Sequence, residues 1–225
     1  MVKAILFDFG GTLDSDGLHW QERFYPLYAD AGIQVGREEF ARAFYDADDN
    51  LHLKHDLRGI GLEQTVALQV RDLMNNLGMN SESAAVKIKN AFVSECRKNF
   101  KINIPVLKWL KNKYKLAIVS NFYGNMDAIL KSEGLDVFFD AVADSTMIGA
   151  MKPDAEIFLY PLEKFGIKPE HALMVGDSVK RDMKGAEALN MPHAWIKDPH
   201  GRIGQCCDKA MVLNNIRELP GILTT

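Results

Sequence analysis

Two hydrophobic periods alternate along this chain, and their boundaries divide it into three stretches. Near the start, Ala4-Ile5-Leu6-Phe7 is an unbroken apolar run that ends at Asp8 and the turn formers Gly10 and Gly11. Such a run predicts a strand buried on both faces, as in a parallel sheet covered by helices. From Leu18 the spacing becomes helical. Apolar stripes over Leu18–Ala31 (with Pro26 inside), Arg37–Ala47, Leu62–Leu77 and Ser81–Lys98 predict four amphipathic helices. Polar joints at Gly32-Ile33-Gln34, Asp48-Asp49-Asn50 and Gly78-Met79-Asn80 separate them, and no strand pattern interrupts the series.

From Ile104 onward, helix and strand periods alternate. Helices are predicted over Val106–Tyr114, Asn125–Glu133, Ala155–Phe165 and Asp182–Leu189. Between them lie short apolar runs at Leu116–Val119, Ala141–Ala143, Leu173–Val175 and His193–Ile196, with Met211–Leu213 read as a further short strand. Alternation of this kind predicts a parallel sheet with crossover helices. The fold class is therefore α/β, with residues 1–14 and 99–225 forming the core and 15–98 an inserted helical bundle.

Composition narrows the function classes. With 225 residues, 47% of them hydrophobic, the chain can bury a full core as well as an insertion. A net charge of -3 without a long basic run offers nothing to nucleic acid. Cys96, Cys206 and Cys207 form neither a disulfide framework nor a zinc motif, which suits a reducing compartment. No apolar run approaches the roughly 20 residues that span a bilayer, so a cytoplasmic protein with no membrane partner is expected, as a monomer or homodimer.

Polar clusters fall where predicted strands end: Asp8, Ser120-Asn121, Lys152 and Asp177. In a parallel sheet these ends share one edge, beyond which ligands bind. Each residue type has a task in phosphoryl transfer. A carboxylate such as Asp8 can attack phosphorus and hold the group covalently. Asp8 and Asp177, joined by Asp182, offer hard oxygen ligands to Mg²⁺, and two acids on neighbouring strand ends repel unless a cation sits between them. Lys152 adds a positive charge, while Ser120, Asn121 and the turn at Gly11 and Thr12 can donate hydrogen bonds to phosphate oxygens. The polar segment containing His52, Lys54, His55 and Arg58 reads better as a solvated loop than as an anion-facing surface, and Trp20, Phe24 and Tyr28 as packing inside the helical insert.

These segments, taken in order, resemble the haloacid dehalogenase-like (HAD) superfamily, in its subgroup with a helical C1-type cap inserted after the first motif. Phe7-Asp8-Phe9-Gly10-Gly11-Thr12-Leu13 looks like the first motif, Val119-Ser120-Asn121 the second, Lys152-Pro153-Asp154 the third, and Val175-Gly176-Asp177-Ser178 with Asp182 the fourth. The resemblance implies a Rossmann-like sheet in the order 5-4-1-2-3. It also implies Asp8 as nucleophile, Ser120 and Lys152 as phosphate-contacting catalytic groups, and Mg²⁺ held by Asp8, the Gly10 carbonyl, Asp177 and Asp182. The expected substrate is a small phosphorylated metabolite. One position departs from the pattern. The family's phosphatases usually carry a second aspartate two residues after the nucleophile as general acid, and here that residue is Gly10. Asp14, Asp16 or His19 could replace it, as could water. The departure keeps open a catalytically weak phosphate- and Mg²⁺-binding regulatory protein, and a haloacid dehalogenase-type hydrolase is the other alternative.

Overall fold

The computed structural model describes residues 1–201 and 209–223. Strand β1 (Ala4–Phe7) is followed by helices α1 (Trp20–Asp30), α2 (Arg37–Lys54), α3 (Leu62–Asn76) and α4 (Glu82–Lys111). Then come β2 (Lys115–Ser120), α5 (Met126–Ser132), β3 (Ala141–Asp144), the short α6 (Ser145–Ile148), α7 (Ala155–Phe165) and β4 (Ala172–Gly176). A π-helical turn (Val179–Met183) leads into α8 (Lys184–Ala188), and β5 (His193–Ile196), β6 (Met211–Leu213) and α9 (Leu219–Leu223) complete the described chain.

All strand pairs are parallel, in the order β3-β2-β1-β4-β5-β6. Read from the other edge, this is the expected 5-4-1-2-3 with β6 added outside β5. The central place of β1 explains its unbroken apolar run, because both faces are covered. Ile5 and Phe7 belong to the buried cluster that also holds residues of α1, α2, α3 and α4, whereas Ala4 and Leu6 share a second cluster with Ile157 and Phe158 of α7, Met183 of the π-helical turn and Ala186 of α8. Phe7 pairs with Ile118 on one side and Val175 on the other, so β1 stops just short of the ends of β2 (Ser120) and β4 (Gly176), and the residues at these ends share one rim.

Two elements differ from the sequence reading. The predicted helices Ser81–Lys98 and Val106–Tyr114 are one 30-residue helix, α4, with Pro105 inside it. Its buried stripe continues without a break through Phe92, Cys96, Phe100, Asn103 and Leu107, so side-chain burial outweighs the one backbone bond that proline removes. Helix α2 likewise runs through the predicted joint at Asp48-Asp49-Asn50 to Lys54, anchored by buried Leu51. Cys96 is buried with a free thiol, and Cys206 and Cys207 lie outside the described residues. Among the described residues no helix is long and apolar enough to cross a membrane.

Candidate active site

Asp8 leaves β1 with its N–H donating to the Val175 carbonyl at 2.9 Å, which keeps the chain alongside β4 for one more residue. The side chain therefore rises from the rim beside Asp177, the first residue after β4. Its Oδ1 accepts from three donors: the Phe9 N–H at 2.7 Å, the Ser120 hydroxyl at 2.9 Å and the Lys152 ammonium at 2.8 Å. Oδ2 is left as the oxygen that can turn to a ligand.

Lys152 is almost fully buried and reaches Asp182 as well, at 2.7 Å. Burial works against its charge, but Asp182 and Asp8 outweigh burial and raise its pKa. Asn121, expected among the phosphate-contacting groups, lines the cavity and also engages Lys152: its Oδ1 accepts from the Lys152 N–H at 2.7 Å and its Nδ2 donates to the Lys152 carbonyl at 3.1 Å. That clamp fixes where the lysine starts.

Asp8, Asp177 and Asp182 each place an oxygen within 4.8 Å of the others. The π-helical turn carries Asp182 inward, and its Oδ2 accepts from the Ser178 N–H at 2.9 Å. Burial, then repulsion from Asp8 and Asp182, pushes Asp177 well above the ordinary carboxylate range. Burial also raises Asp182 to about 6, against the pull of Lys152. Three buried carboxylates with one lysine are short of positive charge. This donor set fits a hard divalent cation, which Asp8, Asp177 and Asp182 could hold.

The glycine turn is built to permit the cluster. Gly11 has φ of +83°, and a Cβ there would lie 2.3 Å from Asp177 Oδ2. Its N–H donates to Asp14 at 2.8 Å and is not free for a ligand. Thr12 is buried, and neither Gly11 nor Thr12 lines the cavity above the rim. Gly10 does line it, and a Cβ there would come 3.3 Å from the Trp20 indole nitrogen, so the tryptophan fills the place where a second acid would begin.

Of the three candidate replacements for that acid, Asp14 is fully buried and accepts from Gly11, Trp20 Nε1 at 2.6 Å and Arg23 at 2.7 Å. Asp16 pairs with Arg217 at 2.6 Å. His19 faces the cavity, and burial, aided by Arg181, lowers its pKa below the ordinary imidazole value.

The cavity encloses about 800 Å³ between the rim and helices α1 and α2. Asp8, Ser120, Lys152 and Asp177 line its floor, with Asp48, Tyr123 and Arg181 among the other walls. Those last three were missed by the sequence reading. Asp48 was readable, because it sits one turn after Phe44 on the apolar stripe of α2. Besides Lys152 and His19, the basic groups at the cavity are Lys180, Arg181 and Lys184. The segment read as a solvated loop stays outside it: His55 bonds Asp72 at 2.9 Å and Arg58 pairs with Asp56 at 2.6 Å. Trp20, Phe24 and Tyr28 are buried, with Phe24 stacked on Phe92 at 4.0 Å.

Comparison with known proteins identifies the family and the fold. A family model described as haloacid dehalogenase-like hydrolase matches residues 2–190. A protein named glyceraldehyde 3-phosphate phosphatase from Methanothermobacter thermautotrophicus is 29% identical over 197 residues, spanning 85% of this chain and 84% of its own. The crystal structure of a HAD phosphatase from Thermococcus onnurineus superposes with a TM-score of 0.62 at 27% identity, over 99% of this chain and 98% of that one. An L-2-haloacid dehalogenase from Xanthobacter autotrophicus shares the fold with a TM-score of 0.61 at 18% identity, over 100% and 99% of the two chains.

Proposed function

Because the chain belongs to the haloacid dehalogenase-like hydrolase family, we propose that this hydrolase is a Mg²⁺-dependent phosphatase of a small phosphorylated metabolite, working through an aspartyl-phosphate on Asp8. The observation that carries the reading is the meeting of Asp8, Asp177 and Asp182 within 4.8 Å around a buried lysine, on the rim where β1 and β4 end. The name of the Methanothermobacter relative supports the phosphatase over the dehalogenase alternative.

Asp8 Oδ2 attacks phosphorus while Oδ1 stays anchored by Phe9, Ser120 and Lys152. Holding the carboxylate in one orientation converts much of the entropic barrier into structure already built. The Lys152 ammonium keeps a third N–H beyond those on Asp8 and Asp182 and stabilises negative charge that develops on the phosphoryl oxygens, whereas the Ser120 hydroxyl, with its one hydrogen on Asp8, joins it only by turning from Oδ1 to the phosphoryl group. A bound Mg²⁺ would supply the charge neutralisation that an anion attacking an anion requires. With glycine at position 10, and with burial holding the His19 imidazole neutral, protonation of the leaving oxygen falls to water, so esters with good leaving groups turn over fastest. Helices within 15–98 act as the lid, closing the cavity and excluding water.

Hydrolysis of p-nitrophenyl phosphate with and without EDTA tests the proposal. Turnover should require Mg²⁺ and disappear in Asp8→Asn while the melting temperature is retained. Undiminished turnover in that variant removes Asp8 from the nucleophile's role.

A further inference from the structure

Helix α2 turns Phe40, Ala43, Phe44, Ala47 and Leu51 toward the interior. Asp48 lies among them, half-buried, at a position where the pattern calls for an apolar residue. A carboxylate drawn inward needs donors, and Oδ1 has two. The Tyr123 hydroxyl, three residues beyond Ser120, makes a short hydrogen bond to it, and Gln69 Nε2 from α3 donates at 2.8 Å. Among the described residues Oδ2 accepts from nothing. Asp48 nevertheless lines the same cavity as Asp8, Ser120 and Lys152. One oxygen is thus fixed by the protein, and the other is offered to whatever occupies the space above the phosphate position.

We propose that Asp48 is a specificity-determining residue whose free oxygen accepts a hydrogen bond from a neutral hydroxyl of the leaving group, so that the site selects phosphate monoesters of polyhydroxylated alcohols over those of plain alkyl chains. The inference rests on the phosphatase reading of the same cavity. Charge decides between a hydroxyl and an ammonium as the donor. Lys180, Arg181 and Lys184 stand exposed at the cavity, and none takes part in an ion pair with a described residue. They attract the phosphate dianion and repel a cationic tail, while the carboxylates elsewhere on the wall are engaged, Glu22 with Arg37 and Asp198 with the His200 N–H; a hydroxyl meets no such penalty. The geometry also explains why Tyr123 and Gln69 share one acceptor. By occupying Oδ1 they fix the plane of the carboxylate, which gives Oδ2 a direction.

The test uses Asp8→Asn protein in Mg²⁺ buffer at pH 8, where binding is read by calorimetry without turnover. Two matched pairs serve as probes: glycerol 3-phosphate against propyl phosphate, and ribose 5-phosphate against pentyl phosphate. At least one hydroxylated probe should bind roughly tenfold or more tighter than its alkyl partner, the size expected of a hydrogen bond to a charged group. Adding Asp48→Ala should bring the ratio close to one. Asp48→Asn keeps the acceptor used by Tyr123 and Gln69 while replacing the free oxygen with a donor, so it guards against a mere folding defect. It should lower the ratio to about two, as expected when a charged partner becomes neutral. Equal affinities within both pairs, no measurable affinity for any probe, or a ratio that survives both substitutions overturns the assignment. Should wild-type protein hydrolyse none of these esters while the preference and its loss are both found, the phosphatase reading falls and the role of Asp48 stands.

Discussion

In the cation-free protein, replacing Asp177 with asparagine is expected to stabilise the fold. The three acidic side chains approach within 4.8 Å. Like charges at that separation repel by roughly 3 kcal/mol at an effective dielectric of about 20. Asp177 faces two such neighbours, Asp8 and Asp182, with only Lys152 to offset them, and its burial adds to the penalty. One uncompensated repulsion remains, so Asp177→Asn should gain about 2–4 kcal/mol in EDTA at pH 8.

The sign follows from linkage. A carboxyl whose pKa is raised on folding makes no difference below the unfolded value near 3.8, and it destabilises increasingly as the pH climbs above that value. The gain should therefore shrink toward zero at pH 4. Urea unfolding followed by circular dichroism measures both arms. Magnesium provides the opposing readout, since it should raise the stability of the wild type at pH 8 and leave Asp177→Asn nearly unchanged. If the variant is no more stable than the wild type in EDTA at any pH from 4 to 8, or if both gain equally from Mg²⁺, the assignment of a cation site to this cluster is wrong.

Other substitutions probe the supports of the site. Lys152→Met leaves Asp8 and Asp182 buried without their shared cation and should cost about 3–5 kcal/mol in urea unfolding at pH 8. That loss should shrink at pH 5, where Asp182, raised to about 6, is protonated. Asp14→Asn keeps an acceptor for the Gly11 N–H but strips buried Arg23 of its partner at 2.7 Å, and should cost about 3 kcal/mol by the same measurement.

Much of this site was legible because strand ends in a parallel sheet are set by short apolar runs. Asp8, Ser120 and Asp177 each follow or close such a run, and their convergence needs only the register of β2, β1 and β4. Asp182 was named as a ligand, but the π-helical turn that carries it inward leaves no periodic trace. Asn121 could not be distinguished by type, since an amide at a strand end suits a phosphate oxygen as well as the main chain of Lys152. The joint read at Asp48-Asp49-Asn50 failed for a related reason. Three polar residues in a row resemble a turn, yet Asp48 is held inward by partners from α3 and from the loop after β2 that no local window contains.

Helix α4 spans 30 residues, a rod about 45 Å long at the usual helical rise. It packs on α1 and α3, and its last turns place Leu107 and Leu110 in the core beneath the sheet. One continuous helix thus joins the helical bundle to the sheet's core, and its one missing backbone bond is at Pro105. Under the proposed lid role, rocking of the bundle would fall to the 14–19 segment, or to a bend near Pro105, where the ladder lacks one rung. Both places are braced by a single guanidinium: Arg217 grips Asp16 at 2.6 Å and Asn103 at 2.8 Å. If the helical bundle serves as the proposed lid, its movement is tethered through Arg217 to a segment far away in sequence from Asp8, Ser120 and Lys152.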